Sequence, residues 1–104
     1  MANCKKEFIE HTKEKDILCA SIEYGKAYWD EDAKKHSVLK VGFTETDFNL
    51  FLKSLNYEYD SVYGGQEVLG TIWYKDGTWS ERGEYDGSEW WEYKSCPVVP
   101  DNLK

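Results

Sequence analysis

Proline is almost missing from this chain of 104 residues: there are two, Pro97 and Pro100, both within the last eight positions. The tail that holds them is expected to be extended and to mark the end of the sheet. Cysteine is scarce and odd in number. Cys4, Cys19 and Cys96 stand at unrelated spacings, which offers no disulfide framework and reads as a reduced, cytoplasmic chain. No apolar run approaches the roughly 20 residues that span a bilayer. The opening MANCKKEFIEHTKEKD has no apolar stretch that could serve as a secretory signal. Basic charge is in deficit, with 13 Lys and Arg against 20 Asp and Glu, for a net charge of -7. That balance excludes a nonspecific binder of nucleic acid, which must displace counterions from phosphates.

The chain is rich in aromatics, which make up 16% of it and include five Trp and eight Tyr. Disordered segments carry few such residues, so the chain folds, and its length fits one domain. Charge is unevenly placed. Residues 1–40 hold eight Lys and eight acidic residues, whereas residues 41–104 hold five basic and twelve acidic ones. The whole negative excess thus lies in the C-terminal part, where ten of the aromatics fall between Tyr57 and Tyr93. An acidic face aids solubility; interleaved with aromatics, it also suits a basic partner.

Residues 3–15 read as a short polar helix anchored by Phe8 and Ile9, lying on the outside of the domain with His11 at the surface. Alternation from Ile17 to Tyr24, and again from Val38 to Phe43, predicts two strands joined by a long hairpin. Thr44 with Asp47 three residues on, between Phe43 and Phe48, forms a capping signal with a hydrophobic staple. Phe48, Phe51, Leu52 and Leu55 then make the apolar stripe of a helix over 45–55 that packs on a sheet. The segment from Leu69 to Cys96 contains Asp76-Gly77 and Asp86-Gly87, each between strand-forming residues, and so predicts a three-stranded meander. The fold class is α+β: one domain, residues 1–104, with an antiparallel sheet of about five strands and two helices, in the order α-β-β-α-β-β-β.

If both Asp-Gly turns are two-residue loops, the register follows by counting. Tyr74 then faces Trp79, Ile72 faces Glu81 and Val68 faces Tyr85, while Gly83 faces Trp90 and Trp79 faces Lys94. One face carries Val68, Ile72, Tyr74, Trp79, Tyr85 and Trp90, and packs on the second helix. The other carries Trp73, Arg82, Trp91 and Tyr93, with Arg82 across from Trp91 in cation–π geometry. Trp, Tyr and Arg dominate binding hot spots, although the N-terminal helix could equally cover this face as a second core layer. The same register opposes Glu84 to Glu89 and Glu81 to Glu92. Like charges so placed destabilise a sheet, so either a loop is longer than two residues or the carboxylates await a Lys or Arg, a metal ion or a shared proton.

Catalytic readings are weak. Glu81 and Glu92 could approach the carboxylate spacing of a retaining glycosidase, but neither lies in a catalytic motif and so short a chain leaves little depth for a cleft. The group Asp30, Glu31, Asp32 and His36 lacks the spacing of a calcium or zinc site. No Ser/His/Asp grouping is readable, and the glycines follow turn logic rather than phosphate-loop spacing. The residues imply no metal, no cofactor and no enzyme.

The run GTIWYKDGTWSERGEYDGSEWW, Gly70 to Trp91, resembles a motif of small bacteriophage-encoded proteins of unknown function. It covers about a quarter of the chain. The resemblance implies a phage product that binds and inhibits a host or defence protein in the bacterial cytoplasm, sometimes by presenting carboxylates in place of phosphates. The candidate binding residues are Trp73, Arg82, Trp91 and Tyr93 as an aromatic hot spot, and Glu81, Glu84, Asp86, Glu89 and Glu92 as acidic contacts. The expected partner is basic or handles nucleic acid; direct nucleic-acid and membrane binding are not expected. A small-ligand or carbohydrate module and a homodimer are the alternatives.

Overall fold

A computed structural model describes residues 2–25, 35–59, 67–85, 88–97 and 99–103. In chain order these form β1 (Ala2–Asn3), α1 (Cys4–Thr12), β2 (Ile17–Tyr24), β3 (Lys35–Leu39), α2 (Glu45–Ser54), β4 (Glu58–Tyr59), β5 (Val68–Tyr74), β6 (Trp79–Tyr85) and β7 (Ser88–Lys94). A single 3-10 turn, Asp101–Leu103, follows in the tail. The fold is α+β. Five strands make an antiparallel sheet in the order β3-β2-β5-β6-β7, and β1 pairs with β4 in a separate two-stranded sheet.

Local chemistry sets the helix boundaries. The Asn3 side chain accepts the Lys6 amide and caps α1. Thr44 and Asp47 exchange reciprocal bonds at the start of α2, a complete capping box. The Phe43 and Phe48 rings stack 5.7 Å apart across that cap, fixing the angle at which the chain enters the helix. Phe51 and Leu55 are buried, and Phe48 and Leu52 pack half-buried beside them. The strand expected over Val38–Phe43 begins and ends earlier, at Lys35–Leu39. Its chain turns at Gly42, whose φ of 84° favours glycine, and this leaves Val41 in solvent. The hairpin tip, including Asp30, Glu31 and Asp32, lies outside the described residues.

Both helices cover the same face of the sheet. The Phe8 and Phe51 rings meet edge to face at 5.3 Å and join α1 to α2. Beneath them lie Ala20, Ile22 and Tyr24 of β2, Leu39 of β3, and Val68, Ile72 and Tyr74 of β5, all buried. α2 is fastened to the β3 side: the Tyr24 hydroxyl donates to the Ser54 carbonyl, and the Ser37 and Ser54 hydroxyls bond at 2.7 Å. α1 lies toward β6 and β7, where His11 Nε2 meets Ser80 Oγ at 2.8 Å.

The β5–β6 pairing departs from the counted register and the β6–β7 pairing keeps it, and the difference decides which side chains share a face. β6 and β7 pair as counted, from Tyr85 opposite Ser88 to Trp79 opposite Lys94. β5 and β6 do not: Trp73 lies opposite Trp79, Ile72 opposite Ser80 and Thr71 opposite Glu81. The Gly77 amide donates to the Tyr74 carbonyl and the Tyr74 amide to the Thr78 carbonyl, with Gly77 at φ 89°. That is a three-residue loop closed by a left-handed glycine, the type I turn plus bulge. One extra residue moves β5 by one position relative to β6, and with period-two strands each face expected from the sequence becomes a mixture of both.

Candidate functional site

The helix-covered face receives Arg82, Glu84, Glu89, Trp91 and Tyr93, joined by Ser80. Here Arg82 does lie across from Trp91, with its guanidinium 5.2 Å from the indole centroid. It is not an exposed hot spot. Arg82 donates to Glu89 Oε1 at 3.0 Å, and the two side chains are 1% and 0% exposed. Arg82 also donates to the Tyr59 hydroxyl at 2.8 Å, and that hydroxyl donates to Glu7 of α1. Glu89 accepts the backbone amides of Glu67 and Val68, each at 2.9 Å. The opposition of Glu84 and Glu89 is real, but Glu89 answers it by turning inward to a cation and two amides.

Burial governs the chemistry of this layer. Desolvation pushes the Cys4 thiol up to about 11, so it stays protonated at neutral pH and is a poor nucleophile. The Tyr59 phenol is also held well above its ordinary value, by burial first and then by its bond to Glu7. His11, expected at the surface, is instead half-buried and stacks on Tyr93 with centroids 3.9 Å apart. Burial, then Arg82 and Lys15, hold its pKa below the ordinary 6.5. Arg82, Trp91 and Glu89 thus leave the candidate binding surface, because the helix that was one of the two readings for this face covers it.

The opposite face carries no helix among the described residues. Among the described residues nothing covers it, and none of its strand side chains is buried. Trp73 is 42% exposed, Trp90 38% and Tyr85 77%. Across β5, β6 and β7 the residues form three rows: Trp73, Trp79 and Lys94; then Thr71, Glu81 and Glu92; then Gly83 beside Trp90. Strand geometry spaces successive rows about 7 Å apart, and directly opposed Cβ atoms lie about 5 Å apart. Glu81 and Glu92 therefore sit side by side with indoles above and below them.

Each indole is held by a carboxylate. Trp79 Nε1 donates to Glu81 Oε1 at 3.1 Å, and Trp90 Nε1 to Glu92 Oε1 at 2.8 Å. Glu92 also contacts Lys94 at 3.2 Å. The bond from Trp90, then that from Lys94, hold the Glu92 carboxyl below its ordinary value. Gly83 makes this possible, because a Cβ there would lie 2.7 Å from Trp90 Nε1 and 2.8 Å from Glu92 Oε1. Beside Trp73 the face dips into a shallow hollow of about 260 Å³ lined by Ser21, Glu23, His36, Leu69 and Thr71.

Trp73, Glu81 and Glu92, expected at the site from sequence, share this open face; Asp86 lies outside the described residues. Trp79, Tyr85 and Trp90 were expected in the core and belong here instead. A signal for two of them is present in the sequence: Trp79-Ser80-Glu81 and Trp90-Trp91-Glu92 repeat a Trp-x-Glu spacing, which in a strand puts indole and carboxylate on the same side.

The face has little catalytic equipment. Ser21 Oγ and His36 Nε2 meet at 2.7 Å, but β2 is paired on both edges, so its amides are committed to the ladders rather than free to hold an oxyanion. Among the described residues no group of three His, Cys, Asp or Glu side chains could hold a metal ion, and no helix is long and apolar enough to cross a membrane. Comparison with protein-family models, with curated proteins and with solved structures finds no significant match.

Proposed function

We propose that this chain is a non-catalytic binding module whose open sheet face receives a basic protein partner. The observation that carries this reading is the Glu81–Glu92 pair set between Trp79 and Trp90 on a face that no helix covers among the described residues. Two like charges held side by side cost stability in the free protein, and a Lys or Arg from a partner would offset that repulsion. Indoles above and below suit the same cation, because a guanidinium is attracted to an aromatic face. The net charge of -7 favours such an encounter at long range. The likeness of Gly70–Trp91 to small bacteriophage proteins directs the proposal toward a host or defence protein in the bacterial cytoplasm, one that itself handles nucleic acid.

The hollow beside Trp73 favours a second reading, a small-ligand or carbohydrate module. An indole next to Ser21, Thr71 and His36 offers a stacking surface with hydroxyl and imidazole partners.

The two readings separate in one experiment. Tagged protein is used to capture partners from bacterial lysate across a salt gradient, in parallel with Trp73→Ala and with the Glu81→Gln/Glu92→Gln pair. A basic protein held by the wild type should be released steeply by salt and lost from the carboxylate variant. Trp73→Ala should weaken its binding by about 2 kcal/mol. Equal capture by all three proteins would refute the protein-binding reading. Tryptophan emission that responds to a sugar or nucleotide and not to any protein would favour the second.

A further inference from the structure

The other end of the sheet carries a separate surface, and it differs in charge and shape from the indole–carboxylate face. β3 is an edge strand, paired only with β2 among the described residues. An edge strand directs half of its amides and carbonyls outward, where another chain can pair with them. Beside this edge runs an open groove of about 620 Å³ between β3 and α2. The helix contributes Asp47, Leu50, Phe51 and Ser54 to it, the spacing of a single helical face. Val38, Val41 and Leu50 on its walls are all exposed. An edge strand flanked by a helix across an apolar groove is the arrangement that accepts an extended peptide as an added strand.

Charge selects the occupant. The segment 35–43, KHSVLKVGF, has Lys35, His36 and Lys40 and no carboxylate, within a chain of net charge -7. A second copy would bring the same basic edge against this one. A partner segment with acidic residues instead meets His36 and Lys40, which alternation places on the side of β3 away from α2. Asp47 on the groove's helix wall is engaged by the Thr44 amide. The geometry points to β3 and α2 as a docking groove for an extended peptide of a partner protein, with apolar side chains alternating with acidic ones. The apolar positions enter the groove onto Leu50 and Phe51, and the acidic positions lie alongside the basic strand. This surface is distinct from the Trp79, Glu81, Glu92 and Trp90 cluster, and either can fail without the other; His36 alone borders both the groove and the hollow beside Trp73.

The test begins with a displayed library of random heptapeptides selected on the intact protein, in parallel with a Leu50→Glu variant. Leu50 is exposed, so that substitution leaves the core alone, and unchanged urea unfolding verifies it. The expected result is a consensus of alternating apolar and acidic residues. A synthetic consensus peptide should shift the amide resonances of residues 35–43 and 47–54, and bind Leu50→Glu at least about tenfold more weakly. The same peptide with its acids changed to lysine should not bind. No enriched consensus, a basic consensus, equal binding to Leu50→Glu, or shifts confined to the Trp73–Trp90 face would each overturn the inference. So would sedimentation showing that two copies pair through β3.

Discussion

The buried Arg82–Glu89 pair should be asymmetric in what its loss costs, and Glu89 is the severe side. Truncation in Glu89→Ala strands a guanidinium that is 1% exposed and leaves the Glu67 and Val68 amides without their acceptor. Breaking a buried pair by removing one partner costs about 3–5 kcal/mol, and each orphaned buried amide adds about 1–3 kcal/mol. Against a total stability of about 5–15 kcal/mol for a domain, this variant should unfold at far lower urea than the wild type, or fail to fold. Arg82→Met should cost less, because the carboxylate it leaves still accepts two backbone amides. The double variant Arg82→Met/Glu89→Leu leaves no buried charge, so its cost should fall at least about 2 kcal/mol short of the sum of the single costs. The assay is urea unfolding followed by tryptophan emission, which senses the site through Trp91 stacked on Arg82. A Glu89→Ala cost below about 1 kcal/mol, or additive single costs, would refute the reasoning.

Two further outcomes follow from close contacts and from burial. Gly70→Ala should be the more damaging of two glycine substitutions, at about 1–3 kcal/mol, because its Cβ would lie 2.5 Å from the fixed Ser21 carbonyl oxygen. Gly83→Ala displaces only the movable ends of Trp90 and Glu92, so it should cost about 1 kcal/mol and shift the tryptophan emission; equal urea midpoints for the two variants would contradict this. Because the pKa of His11 is lowered in the folded state by burial, Arg82 and Lys15, the unfolded chain takes up the proton first as pH falls through about 6.5. The stability His11 provides is therefore complete above that pH and is lost below it until the folded-state pKa is passed. His11→Gln should flatten this slope, and an unchanged slope would remove His11 as its source.

Much of the fold was legible because its signals are local. Thr44, Asp47 and the flanking phenylalanines mark α2 to within a residue, and Ile17–Tyr24 alternates as a half-buried strand should. The β6–β7 register followed from counting, although Asp86 and Gly87 lie outside the described residues. Asp76-Gly77 was misleading, since the same dipeptide closes two-residue and three-residue loops, and the choice rests on where Thr78 can return a hydrogen bond to Tyr74. That single residue brought Trp79, Tyr85 and Trp90 to the open face beside Trp73 and put Arg82 and Trp91 beneath α1. The position of α1 was not legible, because it depends on distant partners: Tyr59 bonding Glu7, and Tyr93 bonding the His11 carbonyl. Nor could sequence reveal that Glu67 and Glu89 are buried, since Glu67 accepts from Tyr57 outside the sheet and Glu89 reaches past its neighbour strand to the amides of Glu67 and Val68.

The reach of Glu89 also couples two distant parts of the chain. The β5–β6 ladder runs only from Thr71 to Trp73, so the first half of β5 has a strand, β2, on one side and the Glu89 carboxylate on the other. That carboxylate arrives from β7, 21 residues later in the chain. The head of β5 and the β6–β7 hairpin are therefore coupled through a long-range contact, whose chain-closure entropy must be met before the contact is gained. Opening that hairpin removes the Glu89 acceptor from the Val68 amide in the same event, so hydrogen exchange should report the hairpin and the head of β5 opening together.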